Sequence, residues 1–210
     1  MSTILDFLAA KLAAGPLRVG EVLCSENFRL RHIDDEGKTG LQVFTRPEAA
    51  LDIVRFDEAG NYRPLRAAPN LKKGWEIRLE ALSDIRLALD FFYPAALGIA
   101  HAMERDMLVA CDLRETLGRQ TGMYAVTRQA TNDELRAAVV STCEDVSCCR
   151  NKILWNISPA CPTPLTWTRE AALGEPVPLL CTEACPVLVA AIRKIVKARQ
   201  KAEAAPPPES

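Results

Sequence analysis

Net charge, histidine and long apolar runs are what this sequence is short of. Its 26 basic residues stand against 27 acidic ones, so no field of one sign draws the whole chain to nucleic acid or to an acidic membrane. No uncharged apolar run reaches the ~18 residues that a helical membrane span needs. The opening MSTILDFLAAKLAAG imitates an export signal, but it has no basic leader, holds Asp6 and Lys11 inside its apolar run and ends on no cleavage pattern. Ile4, Leu5, Leu8 and Leu12 share one helical face there, which predicts an amphipathic helix and a cytoplasmic protein. Only two histidines occur, His32 and His101. No phosphate loop, Ser–His–Asp set or cysteine paired with histidine is present, so nothing marks the chain as an enzyme acting on its own.

Cysteine, by contrast, is plentiful. Eight are present, and TCEDVSCCRNKILW puts Cys143, Cys148 and Cys149 within seven positions, while LLCTEACPVL adds Cys181 and Cys185. In a reducing compartment such a cluster points to metal or redox chemistry rather than to a disulfide framework. The pattern along the chain predicts an α+β fold. FRLRHI alternates, with Phe28, Leu30 and His32 on one face, and reads as a half-buried strand. Asp34, Asp35 and Glu36 follow in what reads as a solvated hairpin turn leading to a second strand, LQVF. TRPEAALDIVRF reads as a helix capped by Thr45. A polar connection runs from 57 to Trp75, and two helical segments then meet at a break near Pro94. RETLGRQTGMYAVTRQ reads as a glycine-marked loop entering a strand, and TNDELRAAVVSTC as a helix with Thr131 and Glu134 in a capping box. CRNKILWNI reads as another helix, EPVPLL as an extended lead into Cys181, and PVLVAAIRKIVKARQKAE as the last helix, starting at Pro186.

Cys143 closes one predicted helix and Cys148 opens the next, with four residues between them; Cys181 and Cys185 have three residues between them. Cys185 falls at the cap of the last helix, where unpaired N–H groups and the positive helix end favour a negative sulfur. A proline directly after a ligand cysteine recurs in ferredoxin-type proteins. Two thiol clips with spare thiols and no local histidine point to an iron–sulfur cluster held by Cys143, Cys148, Cys181 and Cys185, with Cys149 as the alternate to Cys148. A zinc site is the other metal reading, since zinc tolerates these spacings; inert buried thiols are the reading without metal. Cys161, in a proline-rich segment, has no clip partner, and Cys24 and Cys111 read as ordinary core thiols. His32 reads as a satisfied core or edge histidine. Arg114 and Arg119 could grip an anion such as a tetrapyrrole carboxylate, but surface solvation is the simpler account of them.

FRLRHIDD, DEAGNYRPLRAAPNLKKGW, DFFYPAALG, TGMYAV and CCRNKILW…LLCTEACPVLVAAIR together resemble the C-terminal part of multidomain sirohydrochlorin cobaltochelatase-like bacterial proteins. The resemblance implies a small stabilising domain over 28–122 after a lead-in helix at 1–27, then a 4Fe–4S-binding domain over 123–203 and a disordered tail at 204–210. It also implies that the paired clips are the ligands. The chain is too short to hold chelatase domains as well, so either a separate sirohydrochlorin chelatase-like partner is the expected companion or the cluster serves another purpose. Clips of four and three intervening residues also occur in thioredoxin-like 2Fe–2S ferredoxins, where the first clip follows a strand; here it follows a helix.

Overall fold

The computed structural model describes residues 3–54, 74–143, 152–158 and 177–204. The connection at 55–73, Cys148, Cys149, Cys161 and the tail lie outside the described residues. The chain divides into two compact units, one comprising 1–108 with 170–179 and the other 109–169 with 180–210. The fold is α+β.

In the first unit α1 (Ile4–Ala13) is set by a capping box between Thr3 and Asp6 and buries Phe7, Leu8 and Leu12. A five-stranded sheet follows, formed by β1 (Leu17–Val19), β2 (Val22–Cys24), β3 (Arg29–His32), β4 (Gln42–Phe44) and β5 (Trp75–Arg78) in the order β1-β2-β3-β5-β4. Neighbours are antiparallel except β4 and β5, which pair in parallel with Phe44 opposite Ile77. The β1–β2 turn needs Gly20: its φ is +57°, and a Cβ there would stand 2.3 Å from the Tyr93 ring, whose hydroxyl accepts the Glu21 N–H at 2.8 Å.

Four expectations change here. β4 does not return beside β3, because β5 lies between them. Strand β5 was not expected at all: Trp75, Glu76 and Ile77 are all buried, so the alternation that reveals a strand is lost. Asp35 is not solvated; it is fully buried in a short 3-10 turn and paired with Lys38 at 2.9 Å. The helix predicted from Thr45 shrinks to α2 (Ala49–Ile53), which begins after a turn and has Glu48, not Thr45, at its cap. α3 (Leu82–Phe92) and α4 (Ala96–Glu104) flank Pro94 as expected, with Ala95 left-handed at φ 62°. The core of this unit gathers Leu8, Leu30, Trp75, Ile77, Phe92 and Leu97.

In the second unit, the segment expected as loop and strand is helical. Asp112 caps α5 (Leu113–Gly118) by accepting the Arg114 N–H at 2.8 Å, and a 3-10 helix spans Gly122–Gln129. α6 (Asn132–Cys143) carries the predicted Thr131–Glu134 box and buries Leu135, Ala138 and Val139. The described part of the helix expected over CRNKILWNI is extended instead. β6 (Lys152–Ile153) pairs in parallel with β7 (Leu180–Cys181), and burial alternates through Ile153, Trp155 and Ile157. That spacing is two, not the three or four of a helix face. α7 (Pro186–Glu203) packs on α6 through Leu188, Ile192 and Val196.

Arg199 of α7 clamps α6, donating to Glu134 Oε1 at 2.9 Å and to the Gln129 carbonyl at 3.0 Å. Burial of Glu134 works against its charge, but the hydrogen bonds from Arg199 and Thr131 outweigh it and hold this carboxyl below the usual glutamate value. A carboxyl depressed in the folded state stabilises the fold above its unfolded pKa of ~4.3, and that contribution disappears as pH falls through the folded value. Glu134→Gln is therefore expected to flatten the acid limb of stability. Urea midpoints between about pH 6 and pH 3 measure it; identical acid slopes for the two proteins would refute the clamp.

Candidate metal centre

The second clip is built by elements of fixed geometry. β7 ends at Cys181, three residues turn, and Cys185 caps α7 with extended backbone (φ −76°, ψ 161°), followed by Pro186 at the first helical position. Proline loses nothing there, since that N–H would have no partner inside the helix. Glu183, inside the clip, is tied to α5 by an ion pair with Arg119 and by the Thr116 hydroxyl at 3.3 Å. Arg119 is thus committed within the unit, as is Arg114, which donates to the Ala130 carbonyl and to Asn132, both at 2.6 Å. The anion grip considered from sequence gains no support. His32, in the first unit, is buried and accepts the Asp34 N–H at Nδ1, 3.1 Å away, a satisfied core histidine.

Cys143, Cys181 and Cys185 are each half-buried and pack against one apolar core, although they come from α6, β7 and the cap of α7. Cys111 packs on that same core. Its carbonyl accepts the Asn156 N–H at 3.0 Å, and the Cys181 carbonyl accepts the Leu154 N–H at 2.9 Å, so segment 152–156 runs between the two cysteine-bearing stretches. Sequence reasoning read Cys111 as a core thiol, and it packs on this core; what spacing did not show is that the alternating Ile153-Trp155-Ile157 segment is extended and has Cys111 and Cys181 at its two edges. Cys24 does behave as a core thiol: burial pushes its pKa up to about 12, which keeps it protonated.

Trp155 is buried, and its Nε1–H donates to Cys181 Sγ at 3.4 Å, while that sulfur lies 3.1 Å from the Glu183 carbonyl. Among the described residues no three His, Cys, Asp or Glu side chains meet around a single metal ion. Sulfurs around a four-iron cube stand farther apart than those around one ion. An all-thiol set, half-buried on apolar surface beside a helix N-terminus, fits an iron–sulfur group by its chemistry.

Two family models match the chain: the DR2241 stabilising domain over residues 7–104 and the 4Fe-4S iron-sulfur cluster binding domain over residues 105–194. No curated protein matches it at a significant level. Among solved structures, the chain is similar to DR2241 from Deinococcus radiodurans, described as a multidomain protein with structural similarity to chelatases and two additional novel domains. Identity is 34% and the TM-score 0.68, and the match covers 93% of this chain and 42% of DR2241. The chain therefore spans less than half the length of that relative. Between the centres considered from sequence, the second match selects a 4Fe–4S cluster over zinc or a 2Fe–2S centre. Among the described residues no helix is long and apolar enough to cross a membrane. Residues 7–104 thus match a DR2241 stabilising domain and residues 105–194 a 4Fe–4S cluster binding domain, in that order along the chain.

Proposed function

We propose that the second unit holds its 4Fe–4S cluster through Cys143, Cys148, Cys181 and Cys185, with Cys149 as the alternate to Cys148, and that the chain is an accessory module for tetrapyrrole metallation by a separate chelatase-like partner. The observation that carries the ligand set is the packing of Cys143, Cys181 and Cys185, from three elements, on one apolar core. The metallation role draws its support from the likeness to DR2241, whose structure is itself chelatase-like. When bound, the cluster supplies a one-electron couple at a potential set by its surroundings.

The cluster domain is taken to begin ahead of residue 123, since the family match from 105 and the compact unit from 109 both include Cys111. Cys111 gives a second ligand set, replacing Cys143, because it shares the same core. Purification without oxygen, followed by iron and sulfide assays on single Cys→Ser variants, tests both sets. Loss of iron in Cys143→Ser but not Cys111→Ser supports the first; the reverse supports the second. For the partner, sirohydrochlorin metallation by a chelatase-like chain should speed up when the loaded protein is added. An unchanged rate, with no co-purification of the two chains, removes the metallation role and leaves the cluster intact.

A further inference from the structure

We infer that Trp155 is a positioning residue for the cluster: its indole N–H is a fixed hydrogen-bond donor to the Cys181 sulfur and raises the reduction potential. The inference rests on the reading of Cys181 as a ligand. Trp155 is 2% exposed, and a buried indole N–H normally finds a partner. In Trp155 the partner is a sulfur, at 3.4 Å. Neighbouring structure fixes that aim. Trp155 lies on the extended segment whose Leu154 N–H bonds the Cys181 carbonyl at 2.9 Å and whose Asn156 is bonded on the opposite edge to Cys111 and Leu113. The indole therefore cannot drift along β7 without breaking backbone bonds on both edges.

In the free thiol, the Cys181 S–H can point at the Glu183 carbonyl, 3.1 Å away, while the sulfur accepts from the indole. Ligation removes that proton. The sulfur is then an acceptor only, and a hydrogen bond to a charged acceptor is stronger than one to a neutral one. One-electron reduction adds negative charge to the cluster and its sulfurs, so the donated N–H stabilises the reduced form more than the oxidised one. Hydrogen bonds to the ligating sulfurs are among the levers that set such potentials.

Two replacements remove the N–H: Trp155→Phe, and benzothienylalanine at 155, which keeps the bicyclic shape with sulfur in place of N–H. Both are expected to keep wild-type iron and sulfide content and to shift the cluster midpoint to more negative potential. In wild-type protein the Fe–S(Cys) Raman bands should move in deuterated water, and in the variants that sensitivity should be reduced. Full iron with an unchanged midpoint and unchanged isotope sensitivity would overturn the inference and leave Cys181 standing as a ligand. Full iron in Cys181→Ser would instead overturn the ligand reading, and the inference with it. If both replacements lose iron, the wild-type isotope shift decides: its absence rejects the donor.

Discussion

Cys181→Ser or Cys185→Ser is expected to leave the purified chain colourless, with iron falling from about four atoms per chain to a small fraction of one. The reason is geometric. Both thiols sit on one clip that is held at three places: β7 pairs with β6, Glu183 is tied to α5 by Arg119 and Thr116, and Pro186 starts α7. A clip so held cannot slide another donor into the vacated position, and a serine hydroxyl is a poor substitute for a thiolate on iron. Each variant should also loosen the second unit, because the cluster's binding energy acts as folding energy in a domain whose core is small. Iron and sulfide assays read the first effect. Protease resistance of α7 in loaded and unloaded samples reads the second. Full iron in both variants would show that the clip is not the cluster's anchor.

Trp75→Ala should be the most damaging change in the first unit, costing about 3–5 kcal/mol. Trp75 is fully buried, stacks on Phe92 with ring centroids 5.1 Å apart, and heads a strand buried on both faces. Truncation leaves a void that the flanking strands β3 and β4 cannot close without breaking their pairing with β5. Trp75→Phe should be far milder. Among the described residues the buried Trp75 Nε1–H has no hydrogen-bond partner, and removing such a group recovers part of what the lost volume costs, on the order of 1–3 kcal/mol. Denaturant midpoints for the two variants give the ordering. Equal losses would show that the indole N–H is satisfied in solution.

Where helix ends were readable, as they were not at Thr45, their signals are local. Thr131 and Glu134 identify the start of α6, Pro186 the start of α7 and Pro94 the break between α3 and α4, since each acts on backbone groups within one turn. What escaped depends on distant partners. β5 shows no alternation because both of its faces are covered, and its buried Glu76 is held charged by Arg31 from β3 and by Arg78. Asp35 looks like a turn residue until Gly74, at φ +85°, is seen to approach so closely that a Cβ there would lie 2.4 Å from its carboxylate. The paired cysteines could be picked out from spacing alone, whereas the nearness of Cys111 to the same core follows from the edges of segment 152–156. Edge-to-edge neighbours are written nowhere in a linear spacing pattern.

Cys24 gives the molecule an internal clock. Its side chain is wholly enclosed in the first unit and its thiol stays protonated up to about 12, so an alkylating reagent can reach it only when that unit opens. The half-buried cysteines described in the second unit are already reachable without such opening. Mass spectrometry of a timed alkylation would therefore follow the opening of one half of the chain at a single labelled position, in the same tube in which metal occupancy is read from the other.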